Sequence, residues 1–155
     1  MTDFLRRYTL ASYLVALMFI ILPVVDAATN AWPWSLGNEQ WRFGAAAILS
    51  GYLISIIFGL LFLAAVARGS GHKSTLYLTS AVSLLFALVL LVFSISFILD
   101  TFQVRNVVRE EQFEMFKIGA AKTAFKLGLS LVATIVLAIA SFKAAKDVGG
   151  KPSQA

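Results

Sequence analysis

The stretch Ala45–Gly59 reads AAAILSGYLISIIFG. It is almost pure hydrocarbon, yet small side chains recur in it at every fourth position: Ala47, Gly51, Ser55 and Gly59. Residues four apart lie nearly above one another on a helix, so the spacing predicts a continuous groove along one helix face. An uncharged stretch of this length belongs in a core or in a bilayer, and the composition of the rest of the chain decides between them.

Of 155 residues, 59% are apolar and 14% charged, against roughly 45–50% and about 25% in an ordinary globular protein. Thirteen are Phe, as expected where bulky side chains meet acyl chains. The composition predicts an integral membrane protein. The net charge of +5 comes from Lys and Arg scattered beside apolar segments, which is the distribution of orientation signals. No nucleic-acid partner is expected. The chain has no Cys, so disulfides, thiol redox chemistry and thiolate metal sites are excluded.

Crossing ~30 Å of hydrocarbon at 1.5 Å per residue takes about 20 residues. Charge-free runs occupy Tyr8–Val25, Phe43–Ala67, Ser74–Leu99 and Leu127–Phe142. With their flanks they predict four spans, at about residues 8–28, 43–67, 74–100 and 118–143, in a single domain. The expected fold is all-α: an integral membrane four-helix bundle of antiparallel up-down topology. Arg6 and Arg7 ahead of the first run, with Ala27 and Ala28 after it, also suit a cleaved signal peptide. The run exceeds the roughly 7–15 residues of a signal core, so an uncleaved span is the expectation. Arg6, Arg7, Arg68, Lys73, Lys143, Lys146 and Lys151 fall on one side of this layout. On the other side, Arg105, Arg109, Lys117 and Lys122 are offset by Asp100, Glu110, Glu111 and Glu114. The asymmetry predicts a multi-pass protein of the plasma (inner) membrane with both termini cytoplasmic.

The connections differ in character. ARGSGHKST (Ala67–Thr75) is a tight Gly/Ser turn joining spans two and three. The first connection carries Trp32, Trp34 and Trp41 within ten residues, an aromatic belt whose rings seat at headgroup level; a lipid- or quinone-edge binding surface is the other reading. In the third, no Gly or Pro occurs between His72 and Ile118, so nothing stops span three at the membrane surface. Val104, Val107, Val108, Met115 and Ile118 would share a helical face, and Glu110 or Glu114 could pair with Arg109 or Lys117. These features predict a helical hairpin of spans three and four that extends beyond the bilayer and turns near Asn106, with a flat interfacial helix as the competing reading.

In lipid there is no hydrophobic drive for helices to associate, and close backbone approach through small residues supplies dispersion contacts instead. The stripe is therefore a packing seam, within the bundle or toward a partner. Span four offers counterparts at Ala120, Ala124 and Gly128, and at Ser130, Thr134 and Ala138.

Chemistry is sparse. His72 is the one histidine and lies in a turn, which rules out a haem held between two histidines of this chain and His-based metal clusters. No phosphate loop, nucleophile elbow or paired-carboxylate helix occurs, and no catalytic, cofactor-binding or metal-ligating residue is expected. Asp26, Arg42 and Asp100 sit at the outer boundary, as solvated caps or as an ion cluster. Lys126 is the ambiguous charge. If span four matches the shorter spans, Lys126 is interfacial and snorkels, and that reading is preferred. The function expected from these features is that of a non-catalytic accessory, assembly or stabilising subunit of a larger membrane complex, or a homo-oligomer, with membrane lipids and other integral subunits as partners. The alternative is a small oligomeric transporter or channel using Lys126 with Asp26 or Asp100.

Overall fold

The computed structural model describes residues 8–150, and these residues are helical without a strand. In chain order the helices are α1 (Thr9–Asn30), α2 (Glu39–Leu49), α3 (Leu53–Ser70), α4 (Lys73–Arg105) and α5 (Phe113–Gly150), with a 3-10 turn at Glu110–Gln112 before α5. Four of them, α1, α3, α4 and α5, are long and apolar enough to cross a bilayer. Arg6, Arg7 and Lys151, which enter the orientation expectation, lie outside the described residues.

The second run is not one helix. It starts earlier than expected, at Glu39, where the Asn38 side chain accepts a hydrogen bond from the Trp41 N–H at 3.1 Å and caps α2. It then breaks at Ser50–Tyr52. There the Gly51 and Tyr52 N–H groups donate to Ile48 and Leu49, three residues back, the tighter 3-10 pattern. The Ser50 hydroxyl donates to the Ala47 carbonyl at 2.8 Å, occupying the acceptor that a continuous helix would offer to Gly51. Beyond the break, α3 runs to Gly71. Its φ of +75° is the left-handed conformation open to glycine, and the His72 N–H closes back on the Ala67 carbonyl at 2.8 Å. The tight turn between α3 and α4 follows from that glycine.

α4 and α5 pack along their length, α1 packs chiefly on α3, and α2 lies against α4. On α4 the buried residues Leu76, Ser83, Leu90, Phe97 and Val104 recur every seventh position. On α5, Thr123, Ser130, Leu137 and Ala144 do the same, alternating with Leu127, Thr134 and Ser141. A seven-residue recurrence is the seam of knobs-into-holes packing. Here the inside is more polar than the outside: buried Thr79, Ser83, Thr123, Ser130, Thr134 and Ser141 face inward, while Leu85, Val92, Phe125 and Val132 are exposed. Thr79, Ser94, Thr101 and Thr134 donate to carbonyls of their own helix four residues back, at 2.7–2.9 Å, so these hydroxyls satisfy themselves without water.

With 33 and 38 residues, α4 and α5 measure about 50 and 57 Å at 1.5 Å per residue. Both outlast a hydrocarbon core of ~30 Å, whereas α1, with 22 residues, matches it. α4 ends at Arg105, and Asn106 donates back to Gln103 as the chain turns. The five apolar residues expected on one face there are divided by this turn. Val104 is buried and Val108 half-buried, while Val107, Met115 and Ile118 are exposed.

Candidate functional site

The lower half of the small-residue stripe is the contact between α1 and α3. A Cβ on Gly59 would stand 2.7 Å from Ile20 Cγ1, 2.9 Å from the Ala16 carbonyl oxygen and 3.0 Å from Phe19 Cβ. Only a residue without a side chain fits. One turn earlier, the Ser55 hydroxyl donates to the Phe19 carbonyl at 3.3 Å. The reason lies in Pro23, inside α1. Proline has no N–H, so the Phe19 carbonyl four residues earlier loses its helical donor, and Ser55 supplies one from the neighbouring helix. Gly59 permits the approach, and Ser55 uses it. The upper half of the stripe differs: Gly51 lies exposed in the helix break and Ala47 is half-buried, so the break divides the groove expected along one face.

On α5 the ridge of Ser130, Thr134 and Ala138 is buried, and the Ala138 carbonyl receives the Ser80 hydroxyl of α4 at 2.8 Å. Ala124 and Gly128 point the other way. Both are exposed, and nothing lies within 4 Å of a Cβ built on Gly128. Among the described residues, Gly128 thus has open space beside it. Ala120, Ala121 and Ala124 floor an open groove of about 250 Å³ walled by Phe97 and Phe102 of α4.

Among the four boundary charges, Arg42 and Asp100 come together. Arg42 Nε lies 3.1 and 3.0 Å from the two Asp100 carboxylate oxygens and Nη2 also donates to Oδ1. Nη1 donates to the Leu36 carbonyl at 2.7 Å, so one guanidinium ties the first connection to α4. The hydrogen bonds that Arg42 donates to Asp100 raise the Arg42 pKa further above its usual value, against a smaller lowering by desolvation, with the Asp100 and Glu39 charges adding to the rise. Asp100 is buried. Asp26 is exposed on α1, and neither it nor Lys126 makes an ion pair among the described residues. Lys126 is half-buried and lies seventeen residues along α5 from Lys143, about 25 Å at 1.5 Å per residue. The other ion pair, Lys117 with Glu114 at 2.7 Å, lies on the exposed start of α5.

Trp32 and Trp34 are exposed and Trp41 is half-buried near the start of α2. His72 and Tyr13 share a 2.8 Å hydrogen bond and stack with centroids 5.8 Å apart, and Thr9 shares a 3.2 Å bond with Ser70. These bonds fasten the start of α1 to the α3–α4 turn. Sequence reasoning passed over this contact, the heptad seam and the Pro23–Ser55 relation. Of the three, only Pro23 left a visible signal. Among the described residues, no three His, Cys, Asp or Glu are grouped to hold a metal ion.

Four helices of this length and hydropathy support a multi-pass membrane protein. No protein-family model, no curated protein and no solved structure matches the chain.

Proposed function

We propose that the chain is an antiparallel four-span bundle whose role is to pack: a non-catalytic accessory, assembly or stabilising subunit of a larger membrane complex, or a homo-oligomer. Arg68, Lys73, Lys143 and Lys146 gather at one end, which favours that end, and both termini, on the cytoplasmic side of the inner membrane. The observation that carries the reading is the contrast between two glycines. Gly59 is filled from within the chain, whereas Gly128, with Ala124 and Ala121 on the same exposed face of α5, is open beside a groove. Small residues let helix backbones approach closely in lipid, and no described residue fills the space beside Gly128. A second helix laid along Ala121–Gly128 would find the close fit that α1 finds at Gly59.

The test uses the absence of native Cys. Ala124→Cys and Gly128→Cys, cross-linked in native membranes, give a homodimer or a heavier adduct whose partner mass spectrometry identifies. Gly128→Leu abolishes that adduct. If the protein in mild detergent migrates as a lone monomer and neither cysteine yields an adduct, the reading is wrong. A transporter built on Lys126 is less well supported, because Arg42 engages Asp100 and Asp26 stands apart on α1.

A further inference from the structure

A second groove, distinct from the Ala124 face, runs between α3 and α5 at the end where α3 meets its turn into α4. Its volume is about 240 Å³, less than the roughly 300–1,000 Å³ of pockets for drug-sized ligands. Leu61, Ala64 and Arg68 form one wall, Ala140 and Ser141 the other, and Leu76 the floor. The alanines leave the slot open toward the surrounding medium. Arg68 lies in the last turn of α3, one turn beyond Ala64 and two beyond Leu61. The groove therefore has a cationic mouth and a hydrocarbon interior.

Ser141 sets this groove apart. It is 2% exposed and its Oγ has no hydrogen-bond partner. Thr79, Ser94, Thr101 and Thr134 satisfy their hydroxyls on the carbonyl four residues back, but Ser141 and, within the α4–α5 seam, Ser83 do not, and of the two only Ser141 lines this groove. A buried hydroxyl left unpaired is costly, so the Ser141 position suits an acceptor brought into the groove. Arg68 makes no ion pair among the described residues. Lys73, Lys143 and Lys146 stand at the same end, with Asp147.

We propose that this groove binds one anionic phospholipid. The phosphate rests on the Arg68 guanidinium, the Ser141 hydroxyl donates to an ester carbonyl at the glycerol level, and one acyl chain lies along Ala64, Leu61 and Ala140. An anionic headgroup is favoured over a zwitterionic one because Arg68, the one charged residue lining the groove, has no ion-pair partner among the described residues, and such lipids gather at basic side chains. The site is independent of the subunit reading, since it lies on α3 and the far end of α5 from Gly128.

The experiment is native mass spectrometry of the delipidated full-length protein titrated with phosphatidylglycerol or phosphatidylcholine. Wild type retains one phosphatidylglycerol in preference to phosphatidylcholine. Arg68→Gln weakens phosphatidylglycerol retention about fivefold, the effect of one basic residue at an anionic surface, and phosphatidylcholine less, because its choline cation already offsets the phosphate. Ala140→Leu fills the slot and lowers retention of both lipids, and Ser141→Ala weakens phosphatidylglycerol without removing it. Lys143→Gln, at the same end but outside the groove, has little effect. Equal retention of the two lipids by wild type, or equal losses in Arg68→Gln and Lys143→Gln, would overturn the proposal. So would protection of Ala140→Cys by a protein partner in a lipid-free complex.

Discussion

Adding one methyl group at Gly59 is the most direct perturbation of the α1–α3 seam. The new Cβ would meet Ile20 Cγ1 at 2.7 Å, the Ala16 carbonyl oxygen at 2.9 Å and Phe19 Cβ at 3.0 Å. Carbon atoms rest at about 3.5–4.0 Å from one another. Ile20 can rotate aside. The Ala16 oxygen and Phe19 Cβ move only with the α1 backbone, which must retreat by about half an ångström to restore the Phe19 distance. The Ser55–Phe19 bond, already 3.3 Å long, would then pass the ~3.6 Å at which a hydrogen bond ceases to be one. Overpacking costs about 1–3 kcal/mol, and the lost bond adds roughly 0.5–1.5 kcal/mol. Better helix propensity returns about 1 kcal/mol. The net expectation is destabilisation by ~1–3 kcal/mol. Reversible unfolding in mixed micelles measures it, with Gly128→Ala as the control. At Gly128 nothing opposes the methyl group, so the same substitution should stabilise by about 0.5–1 kcal/mol. Equal responses at the two sites, or a Gly59→Ala protein as stable as wild type, would refute the close approach of α1.

Ser55→Ala should cost about 0.5–1 kcal/mol by leaving the Phe19 carbonyl without a donor. In a Pro23→Ala background, where the helix supplies that donor itself, the cost should vanish; additive effects in the double-mutant cycle would deny the link. Arg42→Gln and Asp100→Asn should each speed amide exchange in the first connection, because the guanidinium holds both Leu36 and α4. The double variant should exchange no faster than the worse single one, and Arg42→Lys should not restore protection, since Lys lacks the planar fork. Gly128→Leu should leave the isolated chain at least as stable as wild type, since Leu is a better helix former than Gly, while abolishing its cross-linked adduct. A parallel loss of stability would place that residue in an internal seam instead.

The apolar runs made four long helices legible because length and charge are one-dimensional quantities. Which faces meet was not legible, for a physical reason. Where lipid surrounds a chain, outward positions are as apolar as inward ones, so the periodicity that marks a core in water is muted. On α4 the inward set is Leu76, Thr79, Ser83 and Leu90 and the outward set includes Leu78, Leu85 and Leu88; hydrophobicity does not separate them. The small-residue rule located Gly59 but also pointed to Ala124 and Gly128, which face away from the chain. Spacing identifies where a backbone can come close, not whether a neighbour is there. The helix break at Ser50–Tyr52 was hidden because Gly51 read as one more small residue in the stripe. Arg42 and Asp100 were legible as charges at one boundary, and their pairing depends on α2 starting at Glu39, which the Asn38 cap decides.

The break and Pro23 belong to one arrangement. In the α1–α3 seam Phe19 meets Ser55. One turn onward along each helix, in opposite directions, brings Pro23 level with Gly51. Two neighbouring helices thus depart from regular i to i−4 bonding at the same height, one through a missing N–H and the other through a 3-10 turn. Each freed group is met locally, the Phe19 carbonyl by Ser55 and the Ala47 carbonyl by Ser50, which is how irregular backbone is tolerated away from water. The gain is direction. α2 is free to follow α4, where Phe43 stacks on Phe97 with centroids 5.3 Å apart and also meets Phe116 of α5 at 5.1 Å, while α3 follows α1. A straight helix from Glu39 to Ser70 would have one axis for two neighbours. Breaking at Gly51 lets each half choose its own, and leaves the uninterrupted α4–α5 pair as the rigid member against which both halves are set.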